Sequence, residues 1–245
     1  MIANAIEDET ATGSSPATKV AGEPESFSTD SWATIQKAVQ NNNTGAYNVG
    51  DTKKVTINGT DYTVRIANKS TAQNCSNTEY SQTACGFVVE FVDIITTMKM
   101  RDTNTNVGGY PATLVYDYLN NTLPSQLPPE LQSAIKPTRV VSGHGQNSGE
   151  TNFVSESQKL YLLSGVEVLG SDDYDTAAST TTQLEYYQNS SNSRIKQYNS
   201  SNTWWWLRSA TSISSINFRF IGSYGSLDRH DANGTGGVSP SFRIA

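Results

Sequence analysis

Alternation of apolar and polar positions is sharpest over residues 53–67, where Val55 and Ile57 lead into Asn58-Gly59 and Tyr62, Val64 and Ile66 lead out of it. Asn-Gly supplies the positive φ angles of a type I′ turn, so this pattern predicts a β-hairpin. The more continuous apolar run Val88, Val89, Phe91, Ile94, Ile95 predicts a largely buried strand. Upstream, Trp32, Ile35, Ala38 and Val39 fall on one helical face, with Asp30 or Thr29 as the expected cap and Asn41-Asn42-Asn43 as the stop. Prolines announce two more short helices: Pro111 ahead of ATLVYDYLNN, and Pro128-Pro129 ahead of ELQSAI, which Pro137 ends. RVVSG, KLYLL and VEVLG read as strands and TQLEYYQN as a short amphipathic helix. WWWLRS, INFRFIG and VSPSFRI read as closing strands. Strands and helices mix without a βαβ rhythm, so the expected class is α+β.

Residues 1–28 are polar and rich in Gly, Pro and Ser, and ordering them would cost entropy with little burial in return. They are expected to form a flexible leader or linker, leaving 29–245 as a single domain. With 17 basic against 23 acidic residues and a net charge of -6, the chain has no basic field to collect phosphates, which argues against a nucleic-acid partner. Charged residues make up only 16%, and Asn, Ser and Thr supply the polar surface instead, as suits an extracellular binding protein. Cys75 and Cys85 stand ten apart, a spacing that a loop-closing disulfide can span and that no metal motif uses. No apolar run is long enough to span a bilayer, and the N-terminal residues lack the pattern of a signal peptide. Either an export signal has been cut away or the protein leaves the cell within a larger particle.

From about residue 46 several blocks are distinctive: YNVGDTKKVTINGTDYTVRI, TNTNVGGYPATLVYDYL, LPPELQSAIKP, YLLSGVEVLGS, LEYYQNSSNSRIK, WWWLRS and GGVSPSFRI. They resemble a domain of bacterial surface and phage proteins whose C-terminal part is similar to the C-type-lectin fold of formylglycine-generating-enzyme type. The signature is Trp-Trp-Leu-Arg-Ser, a polar stretch, then Gly-Val-x-Pro-x-Phe. The stretch between these anchors resembles the variable region of diversity-generating retroelement proteins, in which the adenines of Asn codons are replaced at random during copying. Such copying cannot produce Lys, Glu, Gln, Trp or Met, and residues 211–236 contain none of the five.

The resemblance implies a C-type-lectin-like fold of mixed short strands and a few helices, with C-terminal variable strands and loops. It implies a ligand-binding set at Thr211, Ile213, Ser214, Ile216, Phe220, Gly222, Ser223, Tyr224, Ser226, Asp228, Arg229, His230, Asp231, Gly234 and Gly236. The intervening Phe218, Arg219, Gly225, Leu227 and Ala232 stand as anchors. Tyr and Phe offer rigid contact area, Arg a fork of donors, and Ser and Gly adaptable polar contacts, a mixture like that of a paratope.

Other candidate chemistry is thinner. Trp204, Trp205 and Trp206 place aromatic rings on both faces of one strand, and Arg208 is expected to tie loop carbonyls together. His144 and His230 lack a second ligand at metal spacing. Asp172, Asp173 and Asp175 could offer oxygens to calcium or form a solvated acidic turn. Cysteine oxidation chemistry would need cysteines near the C-terminal core, and both lie far upstream. No GxSxG elbow supports a serine nucleophile. The expectation is therefore a non-enzymatic receptor-binding or adhesin protein with no cofactor and a cell-surface protein or glycan as ligand. It would be displayed on a bacterial cell surface, pilus or phage particle. The alternative is an invariant carbohydrate-binding or structural module of a surface protein.

Overall fold

The structure is a computed structural model that describes residues 22–147 and 149–245. Its strands are β1 (Thr52–Ile57), β2 (Thr60–Asn68), β3 (Val88–Phe91), β4 (Thr96–Lys99), β5 (Ile135–Lys136), β6 (Thr138–Ser142), β7 (Phe153–Gln158), β8 (Lys196–Tyr198), β9 (Ser201–Thr203), β10 (Trp205–Ala210), β11 (Asn217–Ile221), β12 (Leu227–Asp231), β13 (Thr235–Val238) and β14 (Ser241–Ile244). Among the described residues five short α-helices accompany them: α1 (Trp32–Gln40), α2 (Leu114–Asp117), α3 (Pro129–Ala134), α4 (Gly165–Leu169) and α5 (Glu185–Gln188). The fold is thus mixed α+β and mostly strand, as the hydrophobic pattern predicts. Among the described residues no helix is long and apolar enough to cross a membrane.

Two five-stranded sheets organise the chain, one in the order β1-β2-β3-β14-β5 and the other in the order β12-β11-β10-β13-β4. The β1–β2 hairpin turns at Asn58 and Gly59, with φ of 48° and 81°, and pairs Ile57 with Thr60. One core cluster takes Val64, Ile66, Val89, Phe91 and Phe242 from the first sheet and Trp206, Phe218 and Val238 from the second, with Trp32 and Ile35 of α1. A second cluster lies on the other side and gathers Val88, Tyr161, Leu163, Val168, Trp205, Leu207 and Ile221. Trp205 and Trp206 are neighbours on one strand, so they point to opposite faces, and both are fully buried because both faces are covered. Each removes about 150–250 Å² from water, roughly 4–6 kcal/mol of transfer free energy.

Several local expectations are corrected. Residues 1–21 of the expected leader lie outside the described residues, but its last part does not behave as a leader. Phe27 is buried, 5.9 Å from Trp32 and 6.2 Å from both Tyr47 and Phe87 by ring centroids. The cap of α1 is Ser31, which accepts from the Thr34 amide at 3.0 Å. Asp30 instead accepts from the Tyr47 hydroxyl and the Glu25 and Ser26 amides. The helix expected after Pro111 is broken into a 3₁₀ turn, α2, a π-turn at Tyr118–Thr122 and a 3₁₀ turn at Leu123–Gln126.

VEVLG is a helix, α4, and not a strand. Ser164 and Glu167 form a capping box and Gly170 closes the helix at φ 87°, signals that outweigh the β-branched composition. KLYLL holds only a single bridge, Tyr161 to Ser241.

Candidate ligand-binding surface

β10 is clamped from beneath by its own arginine. Arg208 donates to the Val141 and Leu162 carbonyls at 3.1 and 3.0 Å and makes a two-pronged pair with Glu167 at 2.6 and 2.7 Å. Thr83, Thr181 and the Ser164 amide also donate to that carboxylate. Burial alone would raise the Glu167 carboxyl, but Arg208 and these hydrogen bonds hold it below its ordinary range. The arginine does tie carbonyls together, and it also answers a buried charge supplied by the capping box of α4. Charge-assisted, bidentate and fully buried, this pair fixes β10 against α4 and β6.

β11 and β12 continue the sheet outward from β10 and leave β12 at its edge. Register places Asn217, Arg219 and Ile221 on one face with Asp231, Arg229 and Leu227, and Phe218 and Phe220 on the other with His230 and Asp228. On the first face Arg219 pairs with the buried Asp172 at 3.0 Å, and Asn217 donates to Asp231 at 2.6 Å. On the second, Phe218 is buried while Phe220 is half exposed in a ring cluster. Trp204 lies 5.0 Å from Phe220, 4.7 Å from Trp206, and stacks on His230 at 4.8 Å with an interplanar angle of 12°.

The strands are joined by a tight turn in which Gly222 donates to Ser226 at 2.7 Å and Gly225 to Gly222 at 2.9 Å. Gly225 holds φ 82°, so a side chain there would be strained. Tyr224 stands at the tip, 90% exposed, beside a depression of about 260 Å³ rimmed by Ser190–Ile195.

The loop entering β11 is held by a residue the sequence did not single out. The fully buried Asn106 donates its amide to the carbonyls of Ser214 and Asn217 at 2.8 Å each and to that of Thr211 at 3.4 Å, while its own N–H reaches Ser215. Its block, TNTNVGG, is distinctive, but nothing local to an asparagine in a polar stretch announces a partner a hundred residues away.

Of the expected ligand-binding set, Ile213, Tyr224, Ser226, Asp228, Arg229 and His230 are exposed. Ser214, Ile216, Phe220, Ser223, Asp231 and Gly234 are half-buried. Asp231 has a structural duty as well, accepting from Asn104 at 3.0 Å besides Asn217. Three members do not reach the surface. Thr211 is fully buried behind the Asn106 loop, and Gly222 is enclosed by its own turn. Gly236 lies under the Trp204 indole, where a Cβ would come within 2.8 Å of three ring carbons.

The acidic run 172–175 is neither a solvated turn nor an open ligand set. Asp172 is taken by Arg219, and Asp175 accepts from the Ser209 hydroxyl and the Ala177 amide. Burial pushes the Asp175 carboxyl up, against those hydrogen bonds. Among the described residues no group of three His, Cys, Asp or Glu could hold a metal ion. Cys75 and Cys85 are joined in a disulfide with Cα atoms 5.9 Å apart.

No curated protein and no solved structure matches the chain. Residues 87–245, which take in both sheets' C-terminal strands, the Arg208 clamp and the whole β11–β12 surface, match a domain of unknown function, DUF6273. That match spans well over half of the sequence, and the protein belongs to the DUF6273 family.

Proposed function

We propose that the protein is a non-enzymatic ligand-binding protein of the receptor-binding or adhesin type, built on a C-type-lectin-like scaffold. Its β11–β12 hairpin and the 211–216 loop carry a surface diversified by adenine-directed copying of Asn codons. The bearer is a bacterial cell surface, pilus or phage particle, and the ligand a surface protein or glycan.

The observation that carries this reading is a division of duty along one short segment. Phe218, Arg219, Asn217 and Ala232 face inward and are tied by packing, an ion pair or backbone bonds. Beside them, Ile213 and Tyr224 expose large apolar side chains, and the exposed Asp228 and Arg229 lie outside every ion pair among the described residues. Large exposed apolar side chains beside free charges are what a contact surface offers and what a folded core does not require. Residues that no fold requires can be exchanged without unfolding, the condition a diversified site must meet.

Sequencing the DNA around the gene tests the diversification. A reverse-transcriptase gene and an Asn-rich template repeat matching residues 205–242 are expected there. Their absence would remove the diversification claim and leave an invariant binding module.

A further inference from the structure

A second concavity lies at the opposite edge of the same sheet, where the chain enters β4. A depression of about 420 Å³ is lined by Tyr62 and Tyr198, with Asp93, Gln197 and Asn199 on its walls. It shares Thr60, Tyr62 and Ile95 with a neighbouring depression of about 200 Å³, which adds Tyr118, Asn58 and Gln126. The two depressions thus adjoin at Thr60, Tyr62 and Ile95, and together they are treated as one groove.

The walls are built to hold shape. Tyr62 packs edge-on to buried Phe91 with ring centroids 6.2 Å apart. Asp93 accepts from the Gln197 amide at 2.8 Å, and Ile94 donates to the Gln197 carbonyl at 3.0 Å, which locks the β8–β9 hairpin to the loop before β4. That hairpin turns through Asn199 and Ser200, both at positive φ. The base of β8 is tied in turn by Lys196, which pairs with buried Glu90 at 2.9 Å.

The chemistry of the lining selects a class of ligand. Three half-buried tyrosines, Tyr62, Tyr118 and Tyr198, share the lining with Asn58, Gln126, Gln197 and Asn199, and no Lys, Arg or His is among the described lining residues of either part. Flat rings accept the C–H face of a pyranose, while amides and a carboxylate match paired hydroxyls. Without a cation the groove has nothing to hold a phosphate or an acidic sugar, and a single aspartate is a weak anchor for a basic peptide.

We propose that this groove binds a neutral oligosaccharide of two or more pyranose units, with Tyr62 and Tyr198 as stacking platforms. None of its residues lies within 211–236, so the sugar would be read by a constant site while the β11–β12 surface reads something else.

The test uses the full chain and saturation-transfer NMR backed by calorimetry, with maltotetraose, cellotetraose and chitotetraose as probes. At least one should bind with a Kd on the order of 0.1–1 mM. Tyr198→Ala and, independently, the exposed Gln197→Ala should each weaken it by about tenfold. Tyr224→Ala should leave it unchanged. The proposal is overturned if none of the three binds, or if binding survives both groove variants. It is equally overturned if binding is lost in Tyr224→Ala, which would move the sugar to the variable turn. Preference for an extended neutral peptide over all three sugars would also reject it. Failure of all three sugars leaves the β11–β12 reading untouched, because that reading rests on different residues.

Discussion

Gly236→Ala separates scaffold from binding surface in one step. Three carbons of the Trp204 indole lie within 2.8 Å of where the new methyl would sit, against ordinary carbon contacts of about 3.5–4.0 Å. The indole would have to retreat by roughly 1 Å or more. It is hemmed by Trp206 at 4.7 Å, Phe220 at 5.0 Å and the stacked His230 at 4.8 Å, so the displacement propagates through the ring cluster. Overpacking of that kind costs about 1–3 kcal/mol. For a chain of this size each kcal/mol lowers Tm by about 2–4 °C, so Gly236→Ala should fall by roughly 2–12 °C. The comparison is a triple variant, Tyr224→Ser, Asp228→Asn and Arg229→Ser, at exposed positions whose side chains make no ion pair among the described residues. Surface changes of this sort stay within about 0.5 kcal/mol each, so Tm should move by no more than about 6 °C even if all three add. Calorimetric melting of the two proteins beside the parent decides it. A triple variant that loses more than about 6 °C, or a Gly236→Ala that melts with the parent, refutes the division between anchors and free positions.

Glu167→Gln should cost about 3–5 kcal/mol, because it leaves Arg208 buried without its counter-charge, and thermal melting at neutral pH reads this directly. The depressed carboxyl of Glu167 contributes stability that is present above its unfolded value of about 4.3 and is lost as pH falls through the lower folded value. Acid melts of the parent should therefore steepen below about pH 4, and Glu167→Gln should flatten that limb. Opening the Cys75–Cys85 loop by the paired change to serine removes a ten-residue closure worth about 3 kcal/mol on the chain-entropy account. Equal melting of the serine pair and the parent would count against that account.

Local rules carried the reading where local chemistry decides structure. The Asn58-Gly59 hairpin, the strand around Val88–Phe91 and the proline-led α3 needed only periodicity and turn residues. In VEVLG the two β-branched valines point to a strand, while the Ser164/Glu167 capping box, equally legible in the sequence, sets a helix. β12 leaves no signal in the sequence for a different reason. Leu-Asp-Arg-His-Asp shows no alternation of apolar and polar residues, because an edge strand with exposed faces has little to bury. The flanking anchors delimit the binding segment in the sequence, yet they do not sort its members by exposure. Thr211 and Gly236 look as free as Tyr224 until Asn106 and Trp204 are placed over them, and both contacts join residues far apart in the chain.

The most direct measurement is deep sequencing of the codons for residues 205–242 across a population grown from one clone that carries the intact locus. The account predicts replacements at adenine-derived positions, concentrated at Ile213, Tyr224, Ser226, Asp228, Arg229 and His230. Gly236, Phe218, Arg219 and the codons of β10 should stay fixed. A segment as uniform as the rest of the gene, or one whose changes fall equally on buried and exposed positions, would contradict it.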